Sequence, residues 1–132
     1  MKYLLDICAV SDFVKGQPNV VKQLKATPPG LIAISSITRM EIEYGLALHS
    51  ERAGALAPVL QALLDSIHTL AFDEADAHAA AGVRSALHKK GKQMGAYDLL
   101  IAGCGLAKGL VLVTSNVAEF RRVSGLQVAN WR

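Results

Sequence analysis

Short apolar runs alternate along this chain with longer stretches of mixed polarity, and this alternation predicts a mixed fold. Five of the runs are short and show no polar alternation, which is typical of strands that are buried on both faces. These runs cover residues 2–5, 31–34, 67–72, 110–114 and 126–128. The run at 110–114 is the clearest of them because it is continuous, apolar and rich in β-branched residues.

The stretches between these runs have the composition and periodicity of helices. We expect helices at 10–14, 20–26, 37–48, 51–65, 74–90 and 97–108. Pro58 is expected to kink the fourth helix, and Gly91 and Gly109 are expected to end the last two. The alanine-rich residues 75–86 favour a packed helix over a special interface.

Apolar strands separated by helices indicate a parallel sheet that is covered on both faces. The predicted fold class is therefore α/β, a three-layer α/β/α arrangement around a central parallel sheet of four to five strands. A length of 132 residues suits one domain, so we expect residues 1–132 to form a single domain. Because 52% of the residues are hydrophobic and 19% are charged, the chain can bury a sizeable core.

Two features of the sequence indicate where the protein works. No stretch reaches the ~20 apolar residues of a membrane-spanning helix, and Asp6 interrupts the apolar start too early for a signal peptide. We therefore expect a cytoplasmic protein with no membrane contact. Cys8 and Cys104 form no zinc-binding pattern, which favours reduced, partly buried thiols.

Polar residues that follow the predicted strands are the candidates for a functional site. In open α/β sheets, ligands bind outside the carboxyl ends of the strands. Asp6 ends the first strand, and Asn116 and Glu119 follow the fourth. The second strand leads into the helix that carries Glu41, and Asp98 lies in the first turn of the helix before the fourth strand. We expect these side chains to converge.

Glu41 is the most informative carboxylate by pattern, because it falls within an apolar stripe of its helix. The stripe consists of Ile37, Met40, Tyr44 and Leu48. A carboxylate that faces a core is costly unless it is paired or binds a cation. The alternative is a capping box that begins at Thr38, in which Glu41 bonds back to the start of the helix.

The other acids also have ordinary structural explanations. Asp98 lies in the first turn of a helix, where the helix dipole favours an anion by roughly 0.3–1 kcal/mol. Asp6 is in a position to end a strand and begin a turn. Glu119 lies near Arg121 and Arg122, as a solvated surface residue would.

Together, these acids indicate a site for a hard cation. Oxygen ligands suit Mg²⁺ or Mn²⁺ better than zinc. The four histidines have no ligand spacing, and we expect them to be structural or solvated. The sequence contains no glycine-rich phosphate-binding motif and no hydrolase nucleophile elbow, which argues against those classes of enzyme.

Four ordered segments resemble the PIN-domain ribonucleases, and specifically the VapC-type toxins of bacterial toxin–antitoxin pairs. They are YLLD at 3–6, ISSITRMEIEYG at 34–45, GAYDLLIAG at 95–103 and VTSNVAEFRRVSGL at 113–126. The closing Asn130-Trp131 is also similar to the family ending. The resemblance covers nearly the whole chain, at spacings that are specific to the family.

The resemblance implies a metal-dependent endoribonuclease toxin that is neutralised by a VapB-like antitoxin and that forms a homodimer. It implies that Asp6, Glu41 and Asp98 are catalytic acids that bind Mg²⁺ or Mn²⁺. The fourth position falls to Glu119 or Asn116, because many family members have an aspartate where this chain has Asn116. The residues expected to contact the RNA substrate are Ser115, Arg121 and Lys92.

One departure from the family pattern leaves a second function open. The family usually begins with Asp-Thr-Asn or Asp-Thr-Ser, whereas this chain has Asp6-Ile7-Cys8. Ile7 cannot hydrogen-bond to a carboxylate, and a thiol is a weak donor. Losses of this kind typically cost about 10–100-fold in metal affinity or activity. The alternatives are a catalytically weakened PIN-fold module that still dimerises and binds antitoxin or RNA, and an unrelated small α/β phosphatase.

The formal net charge of +3 conceals an uneven distribution. It arises from 14 Lys and Arg against 11 Asp and Glu. Without the four proposed site acids, 14 basic residues face 11 − 4 = 7 acidic ones, so the remainder carries +7. A basic surface around an acidic pocket suits a polyanionic substrate.

Overall fold

A computed structural model describes residues 1–49, 51 and 54–132 of the chain. Its strands are β1 (Tyr3–Leu5), β2 (Ile32–Ser35), β3 (His68–Leu70), β4 (Val111–Val113) and β5 (Val128–Ala129). Its helices within that part are α1 (Ile7–Val14), α2 (Pro18–Ala26), α3 (Ser36–Leu48), α4 (Ala57–Ser66), α5 (Glu74–Lys89), α6 (Ala96–Lys108) and α7 (Val117–Phe120). A 3₁₀ turn, Pro29–Leu31, leads into β2.

The five strands form one parallel sheet in the order β3-β2-β1-β4-β5. The first strand of the chain lies at the centre, where Leu4 pairs with Ala33 on one side and with Leu112 on the other. The carboxyl ends of β1, β2 and β4 are therefore neighbours at one edge of the sheet.

Alternate residues of the central strands supply two separate apolar cores. Leu4 and Leu112 point into the core that α5 and α6 cover, together with Leu87 and Ile101. Leu5 and Val113 and their neighbours point into the opposite core, which α1 to α4 cover. This arrangement confirms the predicted three-layer α/β/α fold with its parallel sheet.

The structure moves several predicted helix boundaries. Helix α1 begins at Ile7 rather than at residue 10, because Asp6 caps it directly after β1. Helix α4 begins at Ala57, so Pro58 occupies the first helical turn, where proline is tolerated, and does not kink the helix. Part of the predicted 51–65 helix, residues 52–53, lies outside the described residues. The short helix α7 was not predicted.

The prediction that the apolar stripe of α3 faces a core is wrong for three of its four residues, since only Ile37 packs against a core. Met40 is 40% exposed, Tyr44 62% and Leu48 58%. Thr38 and Ile42 are the buried residues of this helix, so the covered side is rotated away from the stripe. Met40, Tyr44 and Leu48 therefore form an exposed apolar surface.

Helices α5 and α6 pack at very short range through small residues. A Cβ placed on Gly103 would lie 2.8 Å from both the Ala80 Cβ and the Asp76 carbonyl oxygen. Gly103 and Ala80 are both buried. The alanine-rich helix is thus a packed helix, as predicted. Within the described part of the chain, no helix is long and apolar enough to cross a membrane.

The close approach predicts that Gly103→Ala destabilises the protein. The added methyl group has no space, and overpacking of this kind costs about 1–3 kcal/mol in the free energy of unfolding. The matched control is Gly82→Ala in α5, where a Cβ meets no atom within 4 Å. This control should gain about 0.5–1 kcal/mol from helix propensity. Urea denaturation measures both, and equal midpoints for the two variants would contradict the packing argument.

Candidate active site

Asp6 lies at the junction of β1 and α1 and is only 1% exposed. Its Oδ1 accepts a hydrogen bond from the Ala9 backbone N–H at 2.9 Å, which caps α1. Its Oδ2 accepts a hydrogen bond from the Thr114 hydroxyl, at the end of β4. Burial raises the pKa of Asp6 above its usual value, although these hydrogen bonds oppose the shift. The hydrogen bonds therefore hold the Asp6 carboxylate in place, although burial makes its ionised form unfavourable.

Asp98 occupies the first turn of α6 and faces the same region. Burial raises the pKa of Asp98 to about 6, and the negative charges of Glu119, Asp6 and Glu41 add to the rise in that order. The neighbouring Glu119 carboxyl also favours the protonated form of Asp98. The four predicted acids thus lie close enough to repel one another.

Glu119 is oriented by two donors. Its Oε1 accepts from the Gly95 backbone N–H at 3.2 Å, and its Oε2 accepts from Asn116 Nδ2 at 2.6 Å. The Asn116 backbone N–H in turn donates to the Thr114 hydroxyl at 3.0 Å. Asn116 therefore meets the acids through its amide N–H group rather than through the oxygen that a metal would require.

Glu41 extends from the second turn of α3 and is half-buried. Its Oε1 is buried without a hydrogen-bond partner. Burial, followed by the charge of Asp6, raises the pKa of Glu41. The capping-box alternative is wrong, because α3 is capped by Ser35, whose hydroxyl accepts from the Ile37 N–H at 3.1 Å.

Cys8 and Ser115 border the acids. Burial and the nearby Asp6 charge raise the pKa of the Cys8 thiol, and the neighbouring Ser115 hydroxyl opposes this rise. The thiol therefore stays protonated near neutral pH. Ile7 turns away and packs against the core beneath α1. Cys8 and Cys104 are both free thiols, as expected.

The donor chemistry suits a hard cation, since carboxylates surround the site and Glu41 offers a buried oxygen without a partner. Their present arrangement is not a closed ligand set. Among the residues that the structure describes, no group of three or more His, Cys, Asp or Glu side chains is placed to hold a metal ion. Asp6 and Glu119 are instead bonded to protein donors. Binding would require carboxylates to exchange these partners.

The remaining predicted residues lie outside the acidic cluster. Lys92 and Arg121 are both exposed. Sequence reasoning missed Thr114 and Gly95 as donors to the acids. The Arg122 guanidinium donates to the Gln93 carbonyl at 3.1 Å. The signal for Thr114 was available, because a hydroxyl at the end of a buried strand needs a polar partner.

Known proteins are similar to this chain in sequence and in fold. The PIN domain family matches residues 3–126. The tRNA(fMet)-specific endonuclease VapC of Shigella flexneri is 33% identical over 131 residues, which cover 99% of this chain and 98% of the relative. The Ribonuclease VapC2 of Haemophilus influenzae is 32% identical with the same coverage. This chain belongs to the VapC family of PIN-domain proteins.

Solved VapC-family structures have the same fold. The DNA-bound VapBC of Salmonella typhimurium superimposes with a TM-score of 0.90 at 31% identity, covering 100% of this chain and 99% of that chain. VapBC2 of Rickettsia felis, bound to a DNA fragment from its promoter, gives a TM-score of 0.87 at 28% identity, and both chains are covered completely.

The pKa of Asp98 predicts how the metal-free protein responds to pH. Because the folded pKa of about 6 exceeds the ordinary value of 3.8, the folded state binds more protons than the unfolded state between these values. Stability in EDTA should therefore fall as the pH rises from 3.8 through 6. Asp98→Asn should weaken this decline and stabilise the protein above pH 6, as measured by urea midpoints.

Asp73→Asn is the control for that experiment. The pKa of Asp73 is lowered, chiefly by its hydrogen bond from the Asp76 backbone. Because Asp73 is already ionised above pH 3.8, Asp73→Asn should leave the fall in stability between pH 3.8 and 6 unchanged. If the stability of Asp98→Asn had the wild-type pH dependence, the pKa of Asp98 would not be raised in the folded protein.

Proposed function

We propose that this protein is a metal-dependent endoribonuclease toxin. The observation that carries the proposal is the cluster of Asp6, Glu41, Asp98 and Glu119 at the carboxyl edge of the central strands, in a chain of the VapC family. Relatives over the full chain bear the names ribonuclease and endonuclease. Those names favour the nuclease over the alternative of a catalytically weakened module.

Each residue of the cluster has a role in this proposal. Asp6, Glu41 and Asp98 would hold Mg²⁺ or Mn²⁺, and Glu119 would complete the set. When bound, the ion supplies a water of lowered pKa and neutralises charge on the phosphate. Thr114 positions Asp6 through its hydroxyl. Asn116 fixes Glu119 through its amide nitrogen.

The proton on Asp98 gives the cluster a further property. In the absence of a cation, a pKa of about 6 keeps a proton on Asp98 in mildly acidic solution, and the neighbouring Glu119 favours that protonated form. A cation competes with that proton for the same oxygens. Binding near pH 6 is therefore expected to release a proton, and the affinity should strengthen as the pH rises through 6 and level off above it.

The first test measures RNA cleavage and thermal stability together. Asp98→Asn should abolish cleavage, and Thr114→Val should lower it by about 10–100-fold, as expected when a residue that orients a ligand is lost. Mn²⁺ at 100 times its Kd should stabilise the wild type by about 2.7 kcal/mol, with a matching rise in Tm that Asp98→Asn lacks. The relatives' names make initiator tRNA the first substrate to assay.

Asp65→Asn is the matched control, because Asp65 is an exposed carboxylate that bonds to Gln61 within α4. It should leave cleavage and the metal-dependent Tm rise unchanged. Cleavage that appears only after Ile7→Thr and Cys8→Asn are introduced would support the weakened module instead. Cleavage of a small phosphomonoester, with RNA left intact, would support a phosphatase.

We also propose that a VapB-like antitoxin is the partner of this protein and that the protein forms a homodimer. The solved relatives from Salmonella typhimurium and Rickettsia felis are described as VapBC complexes. The exposed stripe of α3, formed by Met40, Tyr44 and Leu48, is an apolar surface of the kind that protein partners cover.

Tyr44→Lys should weaken antitoxin binding by at least about tenfold, because a buried, unpaired charge at an interface costs more than 1.4 kcal/mol. Calorimetric titration with the VapB-like protein measures the effect. Leu31→Glu, at the opposite edge of the sheet and 38% exposed, is the control and should bind normally. If Tyr44→Lys binds the antitoxin with unchanged affinity, the antitoxin does not cover this surface of α3.

A further inference from the structure

A basic groove runs between α5 and the segment that leads into α6. Its volume is approximately 750 Å³, within the range of pockets that bind ligands. Arg84 and His88 extend from α5 and Lys92 from the segment, and all three side chains are exposed. Met94 and Leu99 line its apolar part. None of the described residues that line it is acidic.

The groove adjoins the acidic cluster. Ala96 and Leu99 line the groove and flank Asp98 in the first turn of α6. Gly95, just before that turn, donates its backbone N–H to Glu119. The segment that forms the groove wall therefore donates to Glu119 and leads directly into the helical turn that carries Asp98.

The charges of the groove and the cluster are opposite. Carboxylates repel phosphate, so a polyanion approaches them only where other groups neutralise its remaining phosphates. The groove supplies cations for those phosphates and apolar side chains against which unpaired bases can pack. A single RNA strand has both phosphates and unpaired bases to meet these groups. A folded protein could fit the groove only with an acidic ridge of matching shape.

We propose that this groove binds the single-stranded RNA that flanks the cleaved phosphodiester bond, with phosphates on Arg84 and Lys92 and bases against Met94 and Leu99. The proposal rests on the function proposed above and assigns to it a path for the substrate. Because phosphate contacts carry no sequence information, the groove supplies affinity rather than specificity.

The test measures RNA binding without cleavage. In an Asp6→Asn background, fluorescence anisotropy with a labelled single-stranded RNA is compared before and after Arg84→Gln/Lys92→Gln. The double variant should bind more weakly, to a similar extent for RNAs of different sequence. The slope of log Kd against log salt should fall by about 0.7 for each lost phosphate contact. Met94→Ala should weaken binding without changing the slope.

Lys22→Gln/Lys25→Gln is the matched control. It removes the same number of charges from exposed positions on α2, which packs on the opposite core. If both double variants bind RNA equally, the groove proposal is wrong. It is equally wrong if the groove variant binds RNA normally but loses the antitoxin or changes its sedimentation, because the groove would then be a protein interface.

The same measurements separate this proposal from the proposed function. A wild-type protein that cleaves no RNA, but whose RNA affinity depends on Arg84 and Lys92, would refute the nuclease and support the groove as a binding site. A protein that cleaves RNA with unchanged KM after Arg84→Gln/Lys92→Gln would support the nuclease and overturn the groove.

Discussion

A carboxylate buried at the end of the central strand is the constraint around which this structure is organised. Asp6 is 1% exposed, and a charge in that position is costly unless it has donors. Helix α1 supplies a backbone N–H and β4 supplies the Thr114 hydroxyl, so two elements meet at this side chain. Packing of the apolar cores on both faces of the sheet offsets the repulsion among the acids. The helices of these cores carry Asp98 and Glu41 close to Asp6.

The sequence was sufficient to predict the layers and the convergence of the acids. Apolar runs without alternation fix a parallel sheet, and adjacent strand ends then bring Asp6 and Glu119 to one edge. The orientation of α3 was not predictable in the same way. The hydrophobic periodicity of α3 identifies an apolar side, but it does not indicate whether the chain's own core or a partner covers that side. Met40 and Tyr44 were therefore predicted to face a core, although both are exposed. The sequence indicates that the Thr114 hydroxyl needs a polar partner, but it does not identify Asp6, at the end of the neighbouring strand, as that partner.

The change from the usual family residues to Ile7 and Cys8 is accommodated by the same arrangement. Ile7 packs against the core beneath α1, and Cys8 lies next to Ser115 beside the acids. The acids of this chain also have donors from its other end. Thr114 bonds to Asp6, and Asn116 bonds to Glu119. The acids therefore keep hydrogen-bond donors even though Ile7 and Cys8 replace the usual polar residues.

The strand order also determines when the site comes into existence. Asp6 and the hydroxyl that holds it are 108 positions apart, and the first strand pairs with β4 at the centre of the sheet. Such distant pairings form late, after most of the chain is available. On the ribosome, a nascent chain that lacks β4 also lacks Thr114 and Glu119. Translation itself therefore keeps the acidic cluster incomplete until synthesis is almost finished.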